Sequence, residues 1–267
     1  MTPFLIVNPH SGQGKRTDEL VAEARARGIR VHVLRREDDP PEIARAADAE
    51  AIGIAGGDGS LAPIAQVAVE RDLPFVCVPF GTRNHFARDI GLDRDDPIRA
   101  LDAFVGGEER SIDVGRANGR LFLNNVCLGI YAGLVHRREE HRRRSDAFAR
   151  LRALAILAQK RAPLGITVDG QRVEARVLLV ANNAYDLEVL SVGVRERIDA
   201  GLLHLYVPRG LWRRSWLERD GKRFAINAAQ RRLEAAFDGE PEELETPIEF
   251  TIDPLALRVL TPLRPFA

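Results

Sequence analysis

Through residues 1–117, short apolar runs alternate with polar, glycine-containing stretches and with segments of helical spacing. Residues 4–7 lead into Asn8-Pro9-His10-Ser11-Gly12-Gln13-Gly14. Residues 17–27 have helical spacing and stop at Gly28, and 29–34 read as a strand. Residues 41–47 follow as a helix, with proline at its tolerated start. Residues 51–55 form a strand, 60–70 a helix with Ser60 as a natural N-cap, and 75–78 another strand. Repeated strand–helix units of this length predict a Rossmann-like parallel sheet covered on both faces. Ligands of such sheets bind outside the carboxyl ends of the strands. Those ends carry residues 8–14, 56–60 and 79–84, the loops richest in glycine and polar residues in this half.

After Asp113-Val114-Gly115 the pattern changes. Residues 121–126, 165–168, 172–181, 202–207, 234–237, 248–252 and 257–260 are short strand-like runs, with turn signals at Asp169-Gly170 and Asp238-Gly239. This predicts a second domain, a mainly antiparallel β-sandwich over 118–267, following an α/β domain over 1–117. The last residues, 261–267, are left open to a return to the first domain. One long helical stretch, 134–160, interrupts the strands. Residues 136–161 hold nine Lys or Arg against three acids, and Ala147, Phe148, Leu151, Leu154, Ala155 and Ala158 recur at three- and four-residue spacing. Such a basic amphipathic helix suits an anionic lipid surface, at ~1 kcal/mol per basic residue. Its apolar stripe reads better as packing on the β domain, while the arginines suit a lipid surface and a solvated face equally.

Composition narrows the field. Hydrophobic residues at 45% and charged residues at 29% of 267 are ordinary for a globular chain. The formal net charge of zero and the 6% aromatic content argue against nucleic acid as a partner. Cys77 and Cys127 both lie in apolar runs, so they read as buried thiols, not a disulfide framework or a zinc cluster. No apolar run approaches the ~20 residues of a membrane span, and residues 4–7 are too short for a signal peptide. The expectation is a cytoplasmic protein which, if it meets a membrane, does so from the side, at its inner face. The sequence leaves oligomeric state open, a homodimer included.

The chemistry concentrates in Gly56-Gly57-Asp58-Gly59-Ser60, which follows a strand and opens a helix. Glycines let backbone approach a phosphate, and a helix amino terminus presents free N–H groups to it. A Walker loop is excluded, because Gly14-Lys15 is followed by Arg16 and Pro9 stands in place of the first glycine. Gly57, Gly59 and Ala62 match a dinucleotide fingerprint, but the next strand runs into Pro79-Phe80-Gly81-Thr82 without the acidic residue that NAD binding expects.

Taken in order, several segments resemble the catalytic domain of the diacylglycerol-kinase and bacterial lipid-kinase family, which overlaps the sphingosine kinases and is related more distantly to NAD kinases. They are Asn8-Pro9-His10-Ser11-Gly12, Gly56-Gly57-Asp58-Gly59-Ser60, and Pro79-Phe80-Gly81-Thr82-Arg83-Asn84 continuing to Phe86-Ala87-Arg88. Ile112-Asp113-Val114-Gly115, residues 124–129, Asp199-Ala200-Gly201-Leu202-Leu203 and Phe237-Asp238-Gly239-Glu240 extend the likeness over the chain. The resemblance implies a two-domain lipid kinase that binds ATP in the cleft between its domains and uses Mg²⁺. Asn8, Ser11, Gly12, Gly56, Gly57, Asp58, Gly59, Ser60, Thr82 and Asn84 would hold the nucleotide. Glu240 would accept the proton of a diacylglycerol-like hydroxyl, Asp58 would share in catalysis, and Asp199 would be a metal ligand. The chain departs from the family at His85, where Asp is usual, at Ala200, where an acid is usual, and at Leu34, where threonine is frequent. His85 and Ala200 motivate one alternative, a non-catalytic or weakly active nucleotide- or lipid-binding member, and the shared glycine-rich loop leaves another, a kinase of a soluble alcohol such as NAD.

Overall fold

The computed structural model describes residues 2–11, 17–82, 84–129, 162–186, 195–209 and 216–263. The helical stretch expected over 134–160 lies outside the described residues. Contacts divide the chain into two units, Met1–Ile112 with Leu255–Ala267, and Asp113–Pro254.

The first unit runs β1 (Thr2–Val7), α1 (Thr17–Ala26), β2 (Arg30–Val33), α2 (Pro40–Ala46), β3 (Ala49–Gly56), α3 (Asp58–Glu70) and β4 (Phe75–Pro79). Three short helices follow: α4 (His85–Asp89), α5 (Pro97–Ala100) and α6 (Ala103–Gly106). The sheet has the order β2-β1-β3-β4 with every pair parallel, as the strand–helix alternation predicts. β3 and β4 are apolar because helices cover them; every residue of β4 is buried, and so is every residue of β3 but Glu50. α3 buries Leu61, Ala62, Ile64, Ala65, Val67 and Ala68, the spacing of a helix packed along one face. Its N-cap is Gly57, not the expected Ser60. The chain turns earlier because Gly57 is extended, and the Ser60 hydroxyl then donates back to the Gly57 carbonyl at 2.8 Å.

β5 (Glu108–Ala117) carries the chain into the second unit, which contains β6 (Arg120–Phe122), β7 (Asn125–Leu128), β8 (Ile166–Val168), β9 (Gln171–Val173), β10 (Leu178–Asn182), β11 (Leu203–Val207), β12 (Leu217–Gly221), β13 (Arg223–Ala228), β14 (Arg232–Phe237) and β15 (Glu240–Glu245). One sheet has the order β12-β11-β10-β7-β14-β15, antiparallel throughout. The second layer joins β9, β8, β13 and the first half of β16 (Ile248–Thr261), also antiparallel. The two layers bury a common core in which Phe122 meets Phe237 and Phe250 edge-on, at 6.0 and 6.3 Å between ring centres. The last residues of β16 belong to the first unit, where Val259 pairs with Phe75 of β4 in parallel.

Some elements differ from the sequence pattern. The runs expected at 121–126 and 172–181 each break in two, the first at a Leu123-Asn124 corner. The runs at 248–252 and 257–260 are one strand. β12 and β15 show no apolar run because they are edge strands of largely charged sequence.

Candidate active site

β1, β3 and β4 are neighbours in a parallel sheet, so the loops that follow them emerge side by side at its carboxyl edge. The first loop turns tightly: the Asn8 side chain accepts from the His10 amide at 3.1 Å, and the Ser11 amide donates to the Asn8 carbonyl at 3.2 Å. The Asn8 amide donates to Ala55 at 2.9 Å, which anchors this loop beside the end of β3. Gly12 lies outside the described residues.

The second and third loops are joined directly. Both carboxylate oxygens of Asp58, at the start of α3, accept backbone N–H groups at the start of α4, from His85 at 3.1 Å and Phe86 at 3.0 Å. Gly57 and Gly81 touch: a Cβ on Gly81 would overlap the Gly57 Cα and come within 2.9 Å of the Asn84 side-chain oxygen. Asn84 closes the third loop on itself, accepting from the Gly81 amide at 2.9 Å and donating to the Gly81 carbonyl at 3.0 Å. It does so at φ +49, in the left-handed region that asparagine tolerates better than most residues. Gly56 is buried, Gly59 and Ser60 are half-buried, and Thr82 is exposed on the same loops. The structure therefore brings Asn8, Ser11, residues 56–60, Thr82 and Asn84 to one sheet edge. Leu34 follows β2 at that edge, its amide bonded to Val7 at 2.9 Å.

Glu240 and Asp199 belong to the second unit. Glu240 opens β15 and is exposed, immediately after the turn Asp238-Gly239. Asp238 is buried, and its carboxylate accepts from the amides of Leu123 at 2.8 Å, Asn124 at 2.7 Å and Asn125 at 3.0 Å. Asp199 accepts from the Arg197 guanidinium at 3.1 Å. The loop that follows it is held by the Ala200 amide donating to Asn183 at 3.1 Å and the Gly201 amide donating to Asp113 at 2.6 Å. Asp113, Asn124, Asn182, Asn183 and Arg195 are all buried. Of these, Asp113 and Asn124 fall in segments that sequence reading singled out. Asn182, Asn183 and Arg195 were missed, although two asparagines ending the apolar run 178–181 were a visible anomaly.

Among the described residues no group of three His, Cys, Asp or Glu side chains is arranged to hold a metal ion. Asp199, already paired with Arg197, does not make a cation site by itself. Burial pushes both thiols up, Cys77 further with the Asp58 charge close by, which leaves them protonated at neutral pH and removes a thiolate nucleophile from consideration.

Residues 2–117 match the family model of the diacylglycerol kinase catalytic domain. This segment, less than half of the chain, is similar to that family's catalytic domain. The diacylglycerol kinase of Bacillus subtilis (strain 168) is 36% identical over 72 residues, 26% of this chain and 24% of its own. The diacylglycerol kinase of Mycobacterium tuberculosis (strain CDC 1551 / Oshkosh) is 34% identical over 119 residues, 42% of this chain and 38% of its own. The chain thus aligns with less than half the length of either curated relative. A solved diacylglycerol kinase from Bacillus anthracis strain Sterne superimposes with a TM-score of 0.68 at 18% identity, over 97% of this chain and 96% of the other. That likeness establishes a shared fold across both units.

Proposed function

We propose that the chain is an ATP-dependent lipid kinase that transfers the γ-phosphate to the hydroxyl of a diacylglycerol-like lipid. The observation that carries this reading is the junction of two phosphate-type loops through Asp58, inside the segment that matches the diacylglycerol kinase catalytic domain model. A helix amino terminus presents N–H groups that the helix does not use itself, and Gly57 and Gly81 let the two loops pack directly against each other beside it. Asp58 acts here by fixing the two loops in register, with its charge met by two N–H groups. Phosphoryl transfer needs mainly positioning and charge neutralisation, which such a cradle supplies. The lipid hydroxyl oxygen attacks the γ-phosphorus, the bond from phosphorus to the bridging oxygen of ADP breaks, and the hydroxyl proton passes to the Glu240 carboxylate. An exposed carboxylate suits this role, because the alcohol loses its proton late and needs only a placed acceptor.

A second reading, an ATP-binding member without turnover, draws on Ala200 and on the Asp199–Arg197 pair. A screen with γ-labelled ATP and Mg²⁺ separates the two. Diacylglycerol, monoacylglycerol and sphingosine are offered in mixed micelles, and NAD in solution. The expected outcome is a labelled lipid and no NADP. Labelled NADP alone would move the substrate class to soluble alcohols. ATP-induced thermal stabilisation with no labelled product would favour the second reading.

A further inference from the structure

Inside the second unit, the turn that bears Glu240 and the loop that bears Asp199 are both tied to one buried polar chain. Asp238 takes the three amides of the Leu123–Asn125 corner, and its own amide donates to the Asn125 carbonyl at 2.9 Å. The carbonyl side of the same corner is held by Arg195 and Asn182. Arg195 donates to the Leu123 carbonyl at 2.6 Å, the Asn182 carbonyl at 3.0 Å and the Asn124 side-chain oxygen at 2.9 Å. Asn182 donates to the carbonyls of Leu123 at 3.1 Å and Asp113 at 2.9 Å. Asn183 donates to the Asp113 carboxylate at 3.0 Å, and these two side chains accept the Ala200 and Gly201 amides.

We propose that Arg195 and Asp238 are positioning residues, which hold the Glu240 turn and the 199–201 loop in one fixed arrangement through the Leu123–Asn125 corner. A guanidinium 2% exposed and a carboxylate 7% exposed are costly to bury; the carboxylate is satisfied by the amides of that corner, and the guanidinium by the Leu123 and Asn182 carbonyls and the Asn124 side chain. A hairpin turn needs no such arrangement: Asp238-Gly239 already supplies a standard two-residue connection. The buried chain instead constrains where the residue two positions after Asp238 stands. Glu240 itself is exposed and cannot be held by packing, so its placement comes from the turn beneath it. The assignment of a catalytic consequence rests on the kinase reading; the mechanical link does not.

The test uses the full chain with Asp238→Asn and Arg195→Lys, each alone and combined with Glu240→Gln. Hydrogen exchange measures the link without reference to activity. Asp238→Asn speeds exchange at 123–125, its direct partners, and also at 200–201, which it reaches through the chain of Arg195, Asn182, Asn183 and Asp113. Acceleration confined to 123–125 would overturn the proposal. Turnover measures the consequence: kcat falls about tenfold or more with the KM for ATP within about twofold, and in the Glu240→Gln background the same substitution adds less than about twofold. Full multiplication of the two losses would contradict positioning while leaving the kinase reading intact. A wild-type chain that phosphorylates no lipid, but whose 200–201 amides respond, would sink the kinase reading and keep the link. If Asp238→Asn fails to fold, Arg195→Lys carries the same measurements. If neither variant unfolds cooperatively, the network serves folding alone and the proposal fails.

Discussion

Gly81 carries no side chain because another loop occupies the space where one would be. Its Cβ would overlap the Gly57 backbone, which cannot rotate away as a flexible side chain could. Gly81→Ala should therefore part the two loops and weaken ATP binding roughly tenfold, about 1.4 kcal/mol. Titration calorimetry checks this, and an unchanged ATP affinity would remove the loops from the nucleotide site. The glycines were legible in the sequence, since a cluster after a strand and before a helix has few structural explanations. The partner of Asp58 was not legible. Its carboxylate meets amides 27 and 28 positions further on, and backbone donors leave no mark on residue identity. The same holds for Asp238, whose three donors lie more than a hundred residues earlier. Sequence reading could single out Asp238-Gly239-Glu240 as a turn with an acid, but not the anchor beneath it.

At the scale of elements, legibility followed burial. β3 and β4 are covered on both faces and read as continuous apolar runs. β15 reads Glu-Pro-Glu-Glu-Leu-Glu and is held to β14 by the regular antiparallel ladder, with Arg232 paired to Glu245 at 3.1 Å. Such a strand is stabilised by its neighbour's hydrogen bonds, so no period of apolar residues announces it. The break between β6 and β7 was hidden for the opposite reason: Leu121 to Leu123 are apolar and buried up to the corner, and Asn124, which follows them, is buried as well. The second-unit core depends on Phe122, fully buried and in edge contact with Phe237 and Phe250 from β14 and β16. Phe122→Ala removes both ring contacts and leaves a cavity, with an expected loss of ~3–5 kcal/mol. Chemical denaturation reads it as a fall in midpoint with an unchanged slope. A loss below about 1 kcal/mol would mean that the core closes over the gap.

At the scale of the whole chain, the α/β organisation of the first unit and the antiparallel sandwich of the second agree with the pattern read from the sequence. The family match over residues 2–117 covers the phosphate loops but not Glu240. The proton acceptor is therefore the part of the proposal that most needs a direct experiment. No described helix is long and apolar enough to cross a membrane, and the net charge of zero gives the molecule no overall pull toward anionic lipid. A lipid substrate must then be met through a local surface, which is why mixed micelles are the appropriate medium. The decisive comparison is transfer of labelled γ-phosphate to diacylglycerol by the wild-type chain and by Glu240→Gln, with ATP-induced thermal stabilisation followed in both. A placed proton acceptor contributes roughly a hundred- to ten-thousand-fold, so Glu240→Gln should lose that much turnover while its stabilisation by ATP is unchanged. Equal turnover by the two proteins, or no labelled lipid from either, would contradict the account.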